Sequence, residues 1–153
     1  MELTLIRHFA TAGNLEKRYI GTTDEPILPV AEIKKMPRAE IVLTSPMIRC
    51  RQTAKLLYPE VEQTVWDGFR ECDFGSFEGK NYQDLSGDPV YQAWIDSGGT
   101  LGFPGGEEPT GFGGAAWKDL IRYWKTAGGW YRDGGSDRPW RHHHEHHGGL
   151  CQT

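Results

Sequence analysis

The first fourteen residues constrain the fold of this chain more than any other stretch. Residues 3–6 (Leu-Thr-Leu-Ile) predict a short, mostly buried strand. Arg7 and His8 follow directly, at the carboxyl end of that strand, where open α/β sheets bind their ligands. Residues 10–14 are small or polar and suit a loop of backbone N–H donors. An Arg-His pair is by itself most often a surface dipeptide, but together with such a loop it predicts a site for an anion such as a phosphate ester.

Composition and charge exclude several classes of protein. A chain of 153 residues fits one domain with a real core. Its net charge of −4 gives no footprint for nucleic acid or for an anionic membrane. We expect no signal peptide, because Glu2 and Arg7 interrupt the only apolar stretch near the start. The three cysteines form no CxxC pair and are expected to be small buried residues, which predicts a cytoplasmic protein.

The middle of the chain predicts a second cation near the same edge of the sheet. Residues 30–36 allow only a short helix, and the β-branched run Ile41–Thr44 predicts a second buried strand. Ser45 is the expected N-cap of a helix that runs to residue 57, with proline at its first position. Arg49 then lies in the first turn, where a cation is unfavourable unless an anion binds beside it. A solvated helix cation is the alternative.

An acidic, glycine-punctuated loop follows the third predicted strand, residues 63–66. Glu71 lies among aromatic residues in this loop, a setting that suits a general acid, although a surface acid on a turn is equally consistent. Asp88 is expected to cap a short helix closed by two glycines, residues 103–107 are expected to form a turn, and residues 112–125 allow an amphipathic helix.

Five stretches, in order, resemble the motifs of the histidine phosphatase (phosphoglycerate mutase-like) superfamily over roughly residues 1–112. The five are Arg7-His8-x-x-Thr11-x-x-Asn14, Ile20-Gly21 with Asp24, Ser45-Pro-Met-Ile-Arg49 through Ala54, Glu71-Cys-Asp-Phe-Gly-Ser-Phe-Glu78-Gly79, and Pro104-Gly-Gly-Glu107. The finer pattern of residues 71–82 and 91–99 is most similar to the bacterial α-ribazole phosphatase-like branch. The resemblance implies an α/β fold, a three-layer α/β/α sandwich with a mostly parallel sheet, incomplete at the C-terminus.

The resemblance also implies roles for individual residues. His8 would be the nucleophile that forms a phosphohistidine, and Glu71 would protonate the leaving alcohol. Arg7 and Arg49 would neutralise the phosphoryl oxygens. The remaining residues implied in substrate binding are Thr11, Asn14, Ile20 and Gly21. No metal and no cofactor is implied, since the arginines supply the positive charge.

The expected activity is that of a metal-independent phosphomonoesterase. Its partner would be a small phosphorylated metabolite, either α-ribazole 5'-phosphate or a sugar phosphate. The same arginines would accept a phosphoglycerate, and the sequence does not indicate an oligomeric state.

Two departures separate this chain from the family pattern. Phe9 stands where the family has glycine, and its side chain is expected to crowd the phosphate loop. The second histidine of the family, in a late His-Gly motif, is missing. We therefore expect a phosphatase domain over residues 1–125 and an aberrant, disordered tail over residues 126–153, which is rich in glycine and histidine. We expect marginal stability and weak or absent catalysis from these 153 residues.

The tail permits a reading-frame hypothesis. From Pro139 onward, the codons read one nucleotide later allow a His-Gly-Gly turn followed by an apolar run, where the family places its second histidine. Three alternatives stay open: a metal-binding tail, an inert end, and a pseudoenzyme that binds phosphate esters without turnover. The histidines available to a metal-binding tail are His142, His143, His144, His146 and His147.

Overall fold

A parallel pair of strands organises the part of the chain that carries the site. The structure is a computed structural model that describes residues 3–108. Strand β1 is Val42–Thr44 and strand β2 is Gln63–Val65. The register places Val42 opposite Gln63, Leu43 opposite Thr64 and Thr44 opposite Val65. Parallel neighbours need a crossover, and helix α2, Ile48–Leu57, supplies it. The predicted α/β class and the second and third predicted strands are confirmed.

Two further helices flank this unit. Helix α1, Ala12–Leu15, is a single turn, and helix α3 is Pro89–Asp96. Asp88 caps α3, because its carboxylate accepts hydrogen bonds from the backbone N–H groups of residues 90 and 91. Gly98 and Gly99 follow the helix with positive φ angles of 65° and 75°, a conformation that glycine adopts at little cost. Short 3₁₀ turns lie at Asp67–Phe69 and Gly75–Phe77.

A buried apolar cluster includes and flanks the acidic loop. Its five buried members are Cys72, Phe74, Phe77, Leu85 and Phe103, with Tyr19, Tyr91 and Trp94 half-buried around them. The rings meet edge to face: the centroids of Phe74 and Phe103 are 5.0 Å apart at 90°, and those of Phe77 and Tyr91 are 5.3 Å apart at 90°. This geometry adds to the burial energy of each ring, so the cluster fixes the loop from residue 72 to residue 77.

Three predictions about local structure were wrong. Residues 3–6 do not form a strand, and Leu3, Leu5 and Ile6 are 54%, 85% and 40% exposed. Alternating apolar residues favour a strand only where a neighbour completes the ladder, and the two-stranded sheet of the described residues does not pair with them. Residues 30–36 form no helix.

The third wrong prediction concerns the start of α2. Ser45 is not its N-cap: the helix begins at Ile48, and Met47 occupies the cap position without a side-chain hydrogen bond. The reason is that Asp24, far away in sequence, caps the backbone N–H of Ile48. The end of the helix before Pro59 is confirmed. The predicted helix at residues 112–125, the tail at residues 126–153 and Cys151 lie outside the described residues.

Candidate active site

The backbone around His8 fixes the form of its imidazole. Nδ1 of His8 lies 2.7 Å from the carbonyl oxygen of Phe9. A carbonyl can only accept, so Nδ1 carries the proton and Nε2 keeps its lone pair. The backbone N–H of Phe9 in turn donates to Oγ1 of Thr53 on α2, at 2.9 Å. The nucleophile candidate is therefore attached to helix α2 through the residue that follows it.

Burial and two cations keep this imidazole neutral. Burial lowers the pKa of His8 from its usual value of 6.5, and the positive charges of Arg49 and Arg7 lower it further. The hydrogen bond with Phe9 and the charge of Glu71 act in the opposite direction, but the net shift of the pKa is downward. At neutral pH, His8 thus presents an unprotonated Nε2 close to Arg7, Arg49 and Glu71.

Arg49 is almost completely buried and has no direct acidic partner among residues 3–108. It is 1% exposed and lies in the first turn of α2, as predicted. Its guanidinium donates to the carbonyl oxygens of Thr23 at 2.8 Å, Gly21 at 2.9 Å and Ile20 at 3.4 Å. Carbonyl dipoles satisfy the N–H groups but leave the charge unneutralised. A buried cation of this kind favours an anion beside it.

The loop that holds Arg49 requires glycine at position 21. A Cβ atom there would lie 1.8 Å from the carbonyl oxygen of Cys72 and 2.5 Å from Oε1 of Glu78. The same loop carries Asp24, whose Oδ1 accepts from the backbone N–H of Ile48 at 2.7 Å. Asp24 thereby provides the helix cap that Met47 cannot give. Loop and helix hold each other in place.

Glu71 lies on a loop that is clamped from its other side. Its Oε1 accepts from the backbone N–H of Cys72 at 3.0 Å. Two residues on, Asp73 exchanges bonds with the turn at residues 103–107: its N–H donates to Oε2 of Glu107 at 2.9 Å, and its carbonyl accepts from the N–H of Glu107 at 2.9 Å. That turn was predicted and is confirmed. It fixes the backbone that presents Glu71.

The remaining predicted binding residues hold the loop itself. Thr11 is fully buried and forms a reciprocal capping box with Asn14 at the start of α1. Ile20 and Gly21 turn their carbonyls to Arg49. Arg7 is exposed, and its charge acts on His8. The structure thus brings His8, Arg7, Arg49 and Glu71 into one electrostatic neighbourhood, and surrounds it with residues that position its parts.

Sequence reasoning gave no role to two residues at this site. Burial raises the pKa of the Cys50 thiol and keeps it neutral, although Arg49 and Ser45 beside it act in the opposite direction. Glu78 accepts three hydrogen bonds from residues 21–23. The sequence evidence for a role of Glu78 was its place in the Glu-Gly pair that ends the fourth motif.

The described part of the chain holds neither a metal-binding cluster nor a membrane-spanning helix. Within residues 3–108, no group of three or more histidine, cysteine, aspartate or glutamate side chains is placed to hold a metal ion. None of the helices in the same range is long and apolar enough to cross a membrane. The histidines of the tail lie outside this range.

Comparison with known proteins gives consistent matches. The Histidine phosphatase superfamily (branch 1) matches residues 3–118. The uncharacterized phosphatase PhoE of Bacillus subtilis is 32% identical over 85 residues, which are 49% of this chain and 44% of that protein. The chain therefore spans less than half of the length of this curated relative.

Solved structures agree on the fold. The α-ribazole phosphatase from Shigella flexneri has a TM-score of 0.66 at 20% identity, over 80% of this chain and 67% of that one. The phosphoglycerate mutase from Thermus thermophilus has a TM-score of 0.59 at 28% identity, over 75% and 68%. The predicted phosphoglycerate mutase-like fold is confirmed. From the family match over residues 3–118, the chain belongs to branch 1 of the histidine phosphatase superfamily.

Proposed function

We propose that this site hydrolyses phosphate monoesters through a phosphohistidine at His8. The observation that carries the proposal is the buried guanidinium of Arg49, which has no direct carboxylate partner among residues 3–108 and lies close enough to His8 to lower its pKa. An unneutralised cation beside an unprotonated imidazole suits the transfer of an anionic group to nitrogen. Membership of a phosphatase family supports the same reaction class.

The reaction divides into two steps. In the first, which begins with Glu71 protonated, Nε2 of His8 attacks phosphorus, the bond from phosphorus to the ester oxygen breaks, and Glu71 gives its proton to the departing alkoxide. In the second, Glu71 takes a proton from water, the resulting hydroxide attacks the phosphohistidine, and His8 is released neutral with inorganic phosphate. Arg49 and Arg7 stabilise the charge on the phosphoryl oxygens in both steps, and no metal or cofactor takes part.

The substrate we propose is a small phosphorylated metabolite, α-ribazole 5'-phosphate or a sugar phosphate. The pattern of residues 71–82 supports the first, as does the name of the Shigella neighbour. Nucleic acid and membrane lipid are not proposed as partners, given the net charge of −4. The proposed location is the cytoplasm. Phe9, in place of the family's glycine, is expected to crowd the phosphate loop.

The test is phosphoryl transfer by the full chain and by His8→Asn. The wild-type chain should hydrolyse an aryl phosphate in the presence of a chelator, and phosphoprotein trapped by rapid alkaline quench should be labile to acid. His8→Asn should lose both the trapped phosphate and about a thousandfold or more of turnover. Gln92→Ala on the exposed face of α3 serves as the control and should keep both.

Each contrary result identifies an alternative. Turnover that survives His8→Asn would contradict the phosphohistidine route. Inorganic phosphate that protects the wild-type chain against melting without any turnover would indicate a phosphate-binding protein. Tight Ni²⁺ or Zn²⁺ binding that survives His8→Asn and is lost on deletion of residues 141–153 would point to a metal-binding tail.

A further inference from the structure

Glu78 lies against the loop that holds Arg49, fixed there by its own backbone. Glu78 and Tyr19 form an isolated parallel β-bridge. Beside it, the N–H of Gly79 donates to the carbonyl of Tyr19 at 2.9 Å, and the N–H of Tyr19 donates to the carbonyl of Lys80 at 2.9 Å. The side chain of Glu78 therefore extends along the loop from a fixed point. Its carboxylate is presented to residues 21–23.

Every group of that loop that meets the Glu78 carboxylate is a donor. Oε1 accepts from the backbone N–H of Gly21 at 2.9 Å and of Thr22 at 2.7 Å. Oε2 accepts from the hydroxyl of Thr23 at 2.9 Å. A carboxylate that accepts several charge-assisted hydrogen bonds is strongly held, and it orients the groups that donate to it.

The carbonyl oxygens of the same peptide groups accept hydrogen bonds from Arg49. In a trans peptide the N–H and C=O bonds point in opposite directions. The peptide that joins residues 20 and 21 donates its N–H to Glu78 and offers its carbonyl to Arg49. The next peptide, between Gly21 and Thr22, repeats the arrangement.

We propose that Glu78 is a positioning residue that holds the buried guanidinium of Arg49 through two intervening peptide groups. Each peptide dipole has its positive end at the carboxylate and its negative end at the guanidinium, so the arrangement acts as an ion pair relayed through the backbone. Because Glu78 forms no direct ion pair with Arg49, the guanidinium is held in place while its charge stays available to a phosphate. The consequence for phosphate binding rests on the proposed function, whereas the positioning of Arg49 does not.

A purely electrostatic role for Glu78 would change the phosphate affinity in the opposite direction. If the carboxylate acted on the site only as a negative charge, its removal would strengthen the attraction of Arg49 for phosphate. If it positions Arg49, its removal weakens phosphate binding, because the loop carbonyls no longer fix the guanidinium. The sign of the change in affinity therefore separates the two roles.

The experiment compares Glu78→Ala and Glu78→Gln with a matched control. Asp88→Ala also removes a carboxylate that accepts two backbone N–H groups, but it does so at the start of α3. We expect inorganic phosphate to bind Glu78→Ala about tenfold more weakly than the wild-type chain. Its affinity for Glu78→Gln should be intermediate, and its affinity for Asp88→Ala should equal that for the wild type. The glutamine keeps one oxygen for the two N–H groups and loses the acceptor for Thr23.

A second measurement does not depend on phosphate binding. In ¹⁵N NMR spectra, the guanidinium signal of Arg49, assigned as the one missing in Arg49→Lys, should be separate and slowly exchanging in the wild type and in Asp88→Ala. It should become averaged with solvent-exposed arginines in Glu78→Ala. An Arg49 signal unchanged in Glu78→Ala would overturn the positioning role, as would unchanged or tighter phosphate binding by a folded Glu78→Ala. The wild-type chain could bind no phosphate while the Arg49 signal still becomes averaged in Glu78→Ala. That result would contradict the proposed function and support the positioning role.

Discussion

At the scale of single residues, the state of His8 depends on opposing influences. Burial and the charges of Arg49 and Arg7 favour the neutral ring, whereas the carbonyl of Phe9 and the charge of Glu71 favour the protonated one. The net result is a pKa below 6.5, with the proton of the neutral ring on Nδ1. One set of neighbours thus decides both the charge of the nucleophile and the nitrogen that is free to attack.

The first prediction concerns the titration of His8. We expect its pKa, followed by NMR, to lie below 6.5 and to rise in Arg7→Gln, because that variant removes a positive charge that opposes protonation. The acid limb of turnover should move in the same direction. His8 binds protons more readily in the unfolded chain, so the stability it contributes is present above pH 6.5 and is lost as the pH falls through the lowered pKa. A pKa at or above 6.5 in the wild type would contradict this account.

At the scale of elements, the start of α2 is set by a residue that precedes it by 24 positions. Asp24 caps the N–H of Ile48, while Arg49 from the first turn of the helix binds the carbonyls of the loop that carries Asp24. The two contacts close a ring between loop and helix. Such reciprocal contacts fix the direction in which α2 leaves the loop, and with it the position of the guanidinium.

The second prediction tests this cap. Asp24→Ala should lower the free energy of unfolding by about 1 kcal/mol, because the N–H of Ile48 loses its acceptor at the helix start. Asp24→Asn keeps a side-chain oxygen and should retain most of the stability. Urea titrations of the three proteins give the comparison. Equal losses for alanine and asparagine would show that the hydrogen bond is not the source of the effect.

The predictions that proved correct from sequence rest on short-range signals. Asp88 followed by proline marks the start of α3, and the β-branched run at residues 41–44 marks β1. The start of α2 was misplaced at Ser45 because its cap comes from a distant loop that no local pattern indicates. The strand at residues 3–6 was wrong for a related reason: alternation records a preference, whereas a strand also needs a neighbour.

The candidate site also combines residues that have a local sequence signal with residues that act through long-range contacts. Motif spacing indicated His8, Arg49 and Glu71, and in the structure Arg49 and Glu71 lie close enough to His8 to act on its pKa. Spacing could not indicate what holds them, since the bonds of Glu78 reach residues 55 to 57 positions away. Residues that carry chemistry can be recognised from a local sequence pattern. The residues that position them are recognised only once the fold is known.

At the scale of the whole molecule, five of the seven buried apolar residues within residues 3–108 belong to the cluster at the acidic loop. Phe77 is 1% exposed at the centre of the aromatic cluster, where Tyr19, Tyr91 and Trp94 surround it. Tyr19 is also the residue whose backbone pairs with the segment that carries Glu78. The core and the site therefore share one scaffold.

The third prediction compares two truncations to alanine. Phe77→Ala should lower the free energy of unfolding by about 3–5 kcal/mol, through lost burial and the cavity that remains. Leu5→Ala, at a side chain that is 85% exposed, should change it by less than about 0.5 kcal/mol. Thermal or urea unfolding of both variants gives the measurement. A large loss at Leu5 would show that residues 3–6 are covered after all.

The contacts that fix Arg49 also determine when this site can exist. They join residues 20–24, the start of α2 and Glu78, segments separated by 24 to 57 positions along the chain. Closing loops of this length costs chain entropy that no single segment recovers alone, so the guanidinium and the loop that binds it are fully held only once all three segments have met. A synthetic fragment that ends before residue 78 would carry His8 and both arginines and still lack the arrangement. The appearance of phosphate affinity during refolding would thus mark the completion of the fold.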